Sequence, residues 1–300
     1  MTESSIRGVC PIVDTPFLAD GSVDYDSLAH LTSTLVDGGC NAVALFGYAS
    51  EFYKLTDEER AAMTDVVIDA CADTDTAAVI SVTEESTGPA VDHAERAVAA
   101  GADALMVLPP HTRSPPAAQV RRHLLALDDA VSVPIIVQYA PGPTGASYSP
   151  GFFADLYAAA ANLTHFKIEC EPPGPFVSRL LERTDGDAQV LVGRAGYEMI
   201  EAYDRGACGV MPASAMYDIY LEIHDRYHRG DRDGAIELHS ELVAVLNQLT
   251  KVGIAWDKRI LARRGLIETD HCRAPEAVFD DTYDRLFEDY YERYVAPNID

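Results

Sequence analysis

Ala99-Ala100-Gly101-Ala102-Asp103-Ala104-Leu105-Met106-Val107-Leu108-Pro109 is the stretch that decides the fold. A helical pattern runs out in alanines, and Gly101 stops it as helix ends favour. An unbroken apolar run then begins at Ala104. Such a run, with no polar alternation, suits a parallel strand buried on both faces.

Working outward, the same unit recurs. Candidate strands are Val9–Val13, Ala42–Leu45, Ala77–Val82, Ala104–Leu108, Ile135–Gln138, Thr164–Ile168, Gln189–Val192 and Gly209–Pro212. Amphipathic segments lie between them. Asp24 opens a helix over Tyr25–Asp37, which Gly38-Gly39 closes, and Thr56-Asp57-Glu58-Glu59 is a capping box. Strands alternating with helices leave a closed barrel or a doubly wound sheet. No Gly-x-Gly-x-x-Gly follows the first strand, so a dinucleotide-binding sheet loses its support. The pattern predicts an α/β fold, a closed (β/α)8 barrel. From Ile219 to Asp300 the chain reads as helix throughout: the last barrel helix and three more, ending in the aromatic and acidic stretch Phe287–Tyr294. Residues 1–218 are expected to form the barrel core and 219–300 a helical extension packed on it, in one domain.

Charge narrows the function. The chain has 48 Asp and Glu against 23 Lys and Arg, a formal charge of −25. Such a field repels phosphate backbones, so nucleic acid is not an expected partner. It suits a solvated acidic surface, as adaptation to high salt produces. No apolar run reaches the roughly 18 residues of a membrane span, and Met1-Thr2-Glu3-Ser4-Ser5 lacks the basic start of a secretory signal. A cytoplasmic protein is expected. The six cysteines form no Cys-x-x-Cys pair and the nine histidines no His-Glu-x-x-His pattern, so no metal site is expected.

In a barrel of this kind, chemistry sits at the C-terminal ends of the strands. Those ends read Thr15-Pro16-Phe17, Gly47–Glu51, Pro109-Pro110-His111, Gln138-Tyr139-Ala140-Pro141, Lys167-Ile168-Glu169, Gly193-Arg194 and Met211-Pro212. Lys167, one of only four lysines, ends the run Leu163-Thr164-His165-Phe166, where a lysine is out of place. Burial favours the neutral amine, which attacks carbonyl carbon. The other reading is a structural ion pair with Glu169. Lys54, just before a helix cap, reads as a surface or subunit contact.

Taken in order, these residues resemble the dihydrodipicolinate synthase and N-acetylneuraminate lyase superfamily. The marks are Asp14-Thr15-Pro16-Phe17 with Asp20-Gly21, and Gly47-Tyr48-Ala49-Ser50-Glu51 before Leu55-Thr56-Asp57-Glu58-Glu59-Arg60. Gly101-Ala102-Asp103-Ala104, Pro109, Pro134-Ile135-Ile136, Pro141 with Thr144-Gly145, and Phe166-Lys167 complete them. The resemblance covers nearly the whole chain. It implies a TIM barrel enzyme in which Lys167 forms a covalent imine with a small 2-keto acid, with no cofactor. It also implies a homodimer or homotetramer.

The departures from the family pattern are specific. The family's carboxylate loop reads Gly-Thr-Thr-Gly-Glu, whereas here Tyr48 and Ala49 replace the threonines, leaving Ser50 and backbone N–H groups to hold a carboxylate. The paired tyrosines of family synthases are replaced by Pro110 and His111, and the arginine for a second carboxylate by Pro143. The proton-shuttling tyrosine of strand five is matched by Gln138, with Tyr139 one residue later, an offset that can aim the phenol away. These changes argue against dihydrodipicolinate synthesis. Ser50-Glu51, Val137-Gln138-Tyr139-Ala140-Pro141 and Phe166-Lys167-Ile168-Glu169 look closest to the branch of 2-keto-3-deoxy sugar-acid dehydratases, including those acting on 2-keto-3-deoxy-L-arabonate. Neighbouring branches cleave similar acids as aldolases.

The expected catalytic set is Lys167, Tyr139, Gln138, Glu169 and His111. Glu169 could tune the amine, touch substrate hydroxyls or serve only as a structural pair. His111 could relay protons or be a solvated turn residue. Gln138 could orient a hydroxyl or water, and Tyr139 could act if the backbone turned it inward. Tyr48, Ala49, Ser50, Glu51, Gly193 and Met211 are the expected substrate-binding set, with Glu51 either fixing the loop or moving a proton. A non-catalytic ligand-binding barrel and a metal-dependent aldolase are the rival readings.

Overall fold

The computed structural model describes residues 6–113 and 115–299. Met1 to Ser5, which were read as lacking a leader, and Asp300, the end of the expected tail, lie outside them. Eight parallel strands form one near-closed barrel sheet, in the order β1-β8-β7-β6-β5-β4-β3-β2. They are β1 (Gly8–Val9), β2 (Ala42–Leu45), β3 (Ala77–Ser81), β4 (Ala104–Val107), β5 (Ile135–Tyr139), β6 (His165–Ile168), β7 (Gln189–Val192) and β8 (Gly209–Val210). This is the expected (β/α)8 class. Nearly every strand residue is buried, as two-sided burial of a parallel sheet demands.

β1 and β8 stop earlier than expected, where proline removes a ladder donor. After β1 comes Pro11, yet Ile12 still bridges in parallel to Ala44 on one side and Ala213 on the other. The Ile12 N–H donates to Pro212 O at 2.7 Å and the Ala44 N–H to Pro11 O at 2.8 Å.

Contacts divide the chain into two compact units. Among the described residues, one contains Ile6, Arg7 and Ala77–Met211; the other contains Gly8–Thr76 and the residues from Pro212 to Ile299. In the first unit, α3 (Thr87–Ala100) ends at Gly101, whose φ of +115° only glycine adopts cheaply. The Asp103 carboxylate then accepts from the Ala78 N–H at 2.9 Å, so the helix–strand junction is pinned to the neighbouring strand. The same unit carries α4 (Ala117–Ala130), α5 (Pro141–Thr144), α6 (Pro150–Ala159), α7 (Gly174–Arg183) and α8 (Met199–Asp204).

In the second unit, Asp24 caps α1 (Tyr25–Asp37) by accepting from the Ser27 N–H. Both bonds of the Thr56–Glu59 capping box open α2 (Asp57–Cys71). The tail forms α9 (Tyr217–His228), α10 (Arg232–Val252), α11 (Ile254–Arg263) and α12 (Asp281–Tyr290), followed by a π turn over Tyr291–Val295. The expectation of helix throughout fails between Arg263 and Asp281. Gly265 turns left-handed with φ +72°, and Pro275 lacks a donor for any helix to continue. Among the described residues no helix is long and apolar enough to cross a membrane.

Candidate active site

Residue alternation along β6 builds the centre of the first unit. His165, Lys167 and Glu169 share one face of the strand, and Phe166 and Ile168 take the other. Parallel register sets Gln138 of β5 opposite Lys167, with Leu191 of β7 on its other side. Lys167 is therefore flanked on both sides and only 3% exposed.

Glu169 continues the ladder beyond β6, its N–H donating to Tyr139 O at 2.9 Å. Its carboxylate gathers three groups. Oε1 stands 3.4 Å from Lys167 Nζ and accepts from the Arg194 N–H at 2.9 Å. Oε2 accepts from Gln138 Nε2 at 2.6 Å. Gly193 makes room for this carboxylate, since a Cβ there would lie 2.0 Å from Oε1. Met211 is buried just past β8, and its N–H donates to Val192 O at 2.8 Å.

Four expected residues thus come together: Lys167, Gln138, Glu169 and Gly193. Tyr139 does not join them. It faces the other way, its ring 5.2 Å from Phe153 and 5.0 Å from Phe176, with its hydroxyl accepting from the Tyr148 N–H at 3.2 Å. The condition on which its catalytic role rested, that the backbone turn it inward, is not met. His111 is held in its loop by Glu85, whose carboxylate accepts from the His111 and Thr112 N–H groups. Burial opposes ionisation of Glu85, but those N–H donors keep its carboxyl below the ordinary range.

The loop Gly47–Glu51 belongs to the second unit. The Ser50 hydroxyl, expected to donate to a carboxylate, donates to Val13 O at 2.6 Å and accepts from the Phe46 N–H at 3.0 Å. Glu51 is fully buried, with φ +51°, and pairs with Lys54 at 2.7 Å and with Lys258. Tyr48 packs near Phe52 with ring centroids 5.9 Å apart, and Ala49 sits between Tyr48 and the buried Ser50.

Sequence reading missed Lys258. It is fully buried, donates to His271 O at 3.2 Å and lies 4.2 Å from the Phe17 ring centroid. The signal was present: Lys258 falls three residues after Ala255 and three before Leu261, on the apolar face of α11. Also missed was Asp14, whose carboxylate accepts from the Ser214 hydroxyl at 2.6 Å. Burial pushes Asp14 up to about 6, against the Ser214 hydrogen bonds and the Lys258 charge. Asp257 is raised well above the carboxylate range by burial and then by Asp14. Among the described residues no group of three or more His, Cys, Asp or Glu side chains is placed to hold a metal ion.

A buried amine beside a carboxylate, with an amide steadying that carboxylate, can form an imine and move a proton next to it. Comparison with known proteins places the chain in a family. The sequence model of the Dihydrodipicolinate synthetase family matches residues 5–291. An L-2-keto-3-deoxyarabonate dehydratase of Azospirillum brasilense is 27% identical over 284 residues, 92% of this chain and 91% of that protein. A 4-hydroxy-tetrahydrodipicolinate synthase of Acidothermus cellulolyticus is 31% identical over 265 residues, 84% of this chain and 81% of that one. The crystal structure of a dihydrodipicolinate synthase from Rhodopseudomonas palustris shares the fold, with a TM-score of 0.90 at 23% identity over 97% of this chain and 98% of the other.

Proposed function

The chain belongs to the dihydrodipicolinate synthetase family of lyases and synthases, and on that premise we propose that it is a lyase joining Lys167 to a 2-keto-3-deoxy sugar acid as a Schiff base and dehydrating it. The observation that carries the proposal is Lys167 itself, a buried lysine at a strand end, 3.4 Å from a carboxylate.

In the proposed reaction, Nζ attacks the C2 ketone and the ketone oxygen leaves as water. The Glu169 carboxylate takes a proton from C3, and the C–H electrons pass into an enamine. The enamine expels the C4 hydroxyl, which takes that proton from Glu169 and departs as water. Hydrolysis then frees Lys167, so the net change is loss of one water. Gln138 and the Arg194 N–H hold Glu169 in place through the cycle.

Two observations support dehydration: the likeness to a 2-keto-3-deoxyarabonate dehydratase, and the outward direction of Tyr139, which removes the phenol an aldolase relay would use. The second reading is carbon–carbon chemistry on pyruvate, favoured by the likeness to a 4-hydroxy-tetrahydrodipicolinate synthase. Turnover of racemic 2-keto-3-deoxypentonate separates them. Dehydration yields a five-carbon product lighter by one water, whereas aldol cleavage yields pyruvate and a two-carbon aldehyde.

A further inference from the structure

The turn after β7 has an unusual backbone. Arg194, Ala195 and Gly196 are consecutive and all left-handed, with φ of +47°, +51° and +74°. For the first two, which carry side chains, that conformation is strained and persists only where the surroundings impose it. The Arg194 side chain makes contacts on both sides of the turn. One arm of the Arg194 guanidinium bonds Glu198 at 2.9 Å and another pairs with Glu171, while its centre lies 5.6 Å from the Tyr197 ring centroid. Glu171 follows β6 and Glu198 precedes α8, so the side chain ties the turn to both flanking segments.

This conformation aims the Arg194 N–H at Glu169 Oε1, 2.9 Å away. The side chain and the N–H of one residue thus do different work. The guanidinium holds a strained turn, and the turn presents a donor to the carboxylate beside Lys167.

We propose that Arg194 is a positioning residue for the reaction, acting through its own backbone: its clasp on Glu171 and Glu198 fixes the turn whose N–H orients Glu169 for proton transfer at C3. The inference rests on the lyase reading above and adds a residue to it.

Pyruvate separates the two steps involved. Borohydride trapping reads imine formation on Lys167, and deuterium exchange into the pyruvate methyl group reads proton transfer at C3. Arg194→Ala removes the clasp while keeping a residue that resists the left-handed turn. It should slow exchange about tenfold or more, the scale of a misplaced catalytic group, while leaving the trapping rate within about threefold. Arg194→Gly also removes the clasp, but glycine adopts the turn without strain, so exchange should largely recover. The double change Glu171→Gln with Glu198→Gln weakens the clasp from the other side and should mimic Arg194→Ala, which keeps the test open if that variant folds poorly.

Exchange at the original rate in Arg194→Ala would overturn the proposal. So would Arg194→Gly as slow as Arg194→Ala, since the guanidinium would then act by itself and not through the turn. No adduct in the unaltered protein would bring down the lyase reading first and this inference with it.

Discussion

The carboxylate of Glu169 occupies the space in which a side chain at position 193 would begin. A Cβ on Gly193 would lie 2.0 Å from Oε1 and 2.4 Å from Cδ, closer than such contacts allow. Gly193→Ala must therefore displace the carboxylate that Lys167, Gln138 and the Arg194 N–H share. We expect kcat to fall about a hundredfold, the cost of a small misplacement of a catalytic group, while circular dichroism retains the folded spectrum. Steady-state turnover of 2-keto-3-deoxypentonate checks this. An alanine variant with full kcat would mean that Glu169 is not needed where it stands.

Tyr139 gives the opposite expectation. Its hydroxyl makes a bond to the Tyr148 N–H and its ring packs among Phe153 and Phe176. Tyr139→Phe should leave kcat unchanged and cost about 1 kcal/mol of stability, read by denaturant unfolding. A large loss of kcat with stability intact would place the phenol in the chemistry after all.

These two residues mark where the sequence was legible. Strand positions and helix caps rest on local periodicity and backbone chemistry, so β2 and β7 and the caps at Asp24 and Thr56 could be read directly. Lys167 was legible because a lysine in an apolar run is a local anomaly. The partners of Glu169 were not, because the Gln138 side chain and the Arg194 N–H reach it across strands and depend on a left-handed turn that residue type does not announce. Lys258 stands out less than Lys167 because charged residues flank it on its helix, and its partner Glu51 lies more than 200 positions away in sequence. The break after Arg263 carries its own local signals, Gly265 and Pro275, which outweigh the apolar and charged residues that continue through it.

The Lys258–Glu51 pair is fully buried on both sides. Lys258→Met would leave Glu51 short of a partner in the interior, and breaking such a pair costs roughly 3–5 kcal/mol. Adding Glu51→Gln removes the carboxylate that is then left with Lys54 alone, while Lys54 keeps Glu276, and should restore most of that loss. Urea unfolding of the three proteins tests it. A double variant no more stable than Lys258→Met alone would show that the pair's charges are not what matters.

His165 contributes to the loss of stability toward acid. Burial, assisted by the Arg7 charge, pushes it down to about 4 from an ordinary value near 6.5. As the pH falls from 6.5 toward 4, the unfolded chain takes up a proton that the folded chain refuses, so stability drops through that window. The full effect is roughly 3 kcal/mol by linkage. His165→Gln should make the profile less steep between those limits, with His224, also pushed down to about 4 by burial, keeping part of the slope; unfolding free energy at successive pH values measures it. Parallel profiles for the two proteins would remove His165 from the account.

The most direct test of the central claim is the mass of the peptide containing Lys167 after incubation with racemic 2-keto-3-deoxypentonate and borohydride. A reduced adduct on Lys167 carrying the five-carbon chain less water is expected, and none in Lys167→Ala. An unmodified Lys167 with this acid and with pyruvate, or turnover retained in Lys167→Ala, would contradict it.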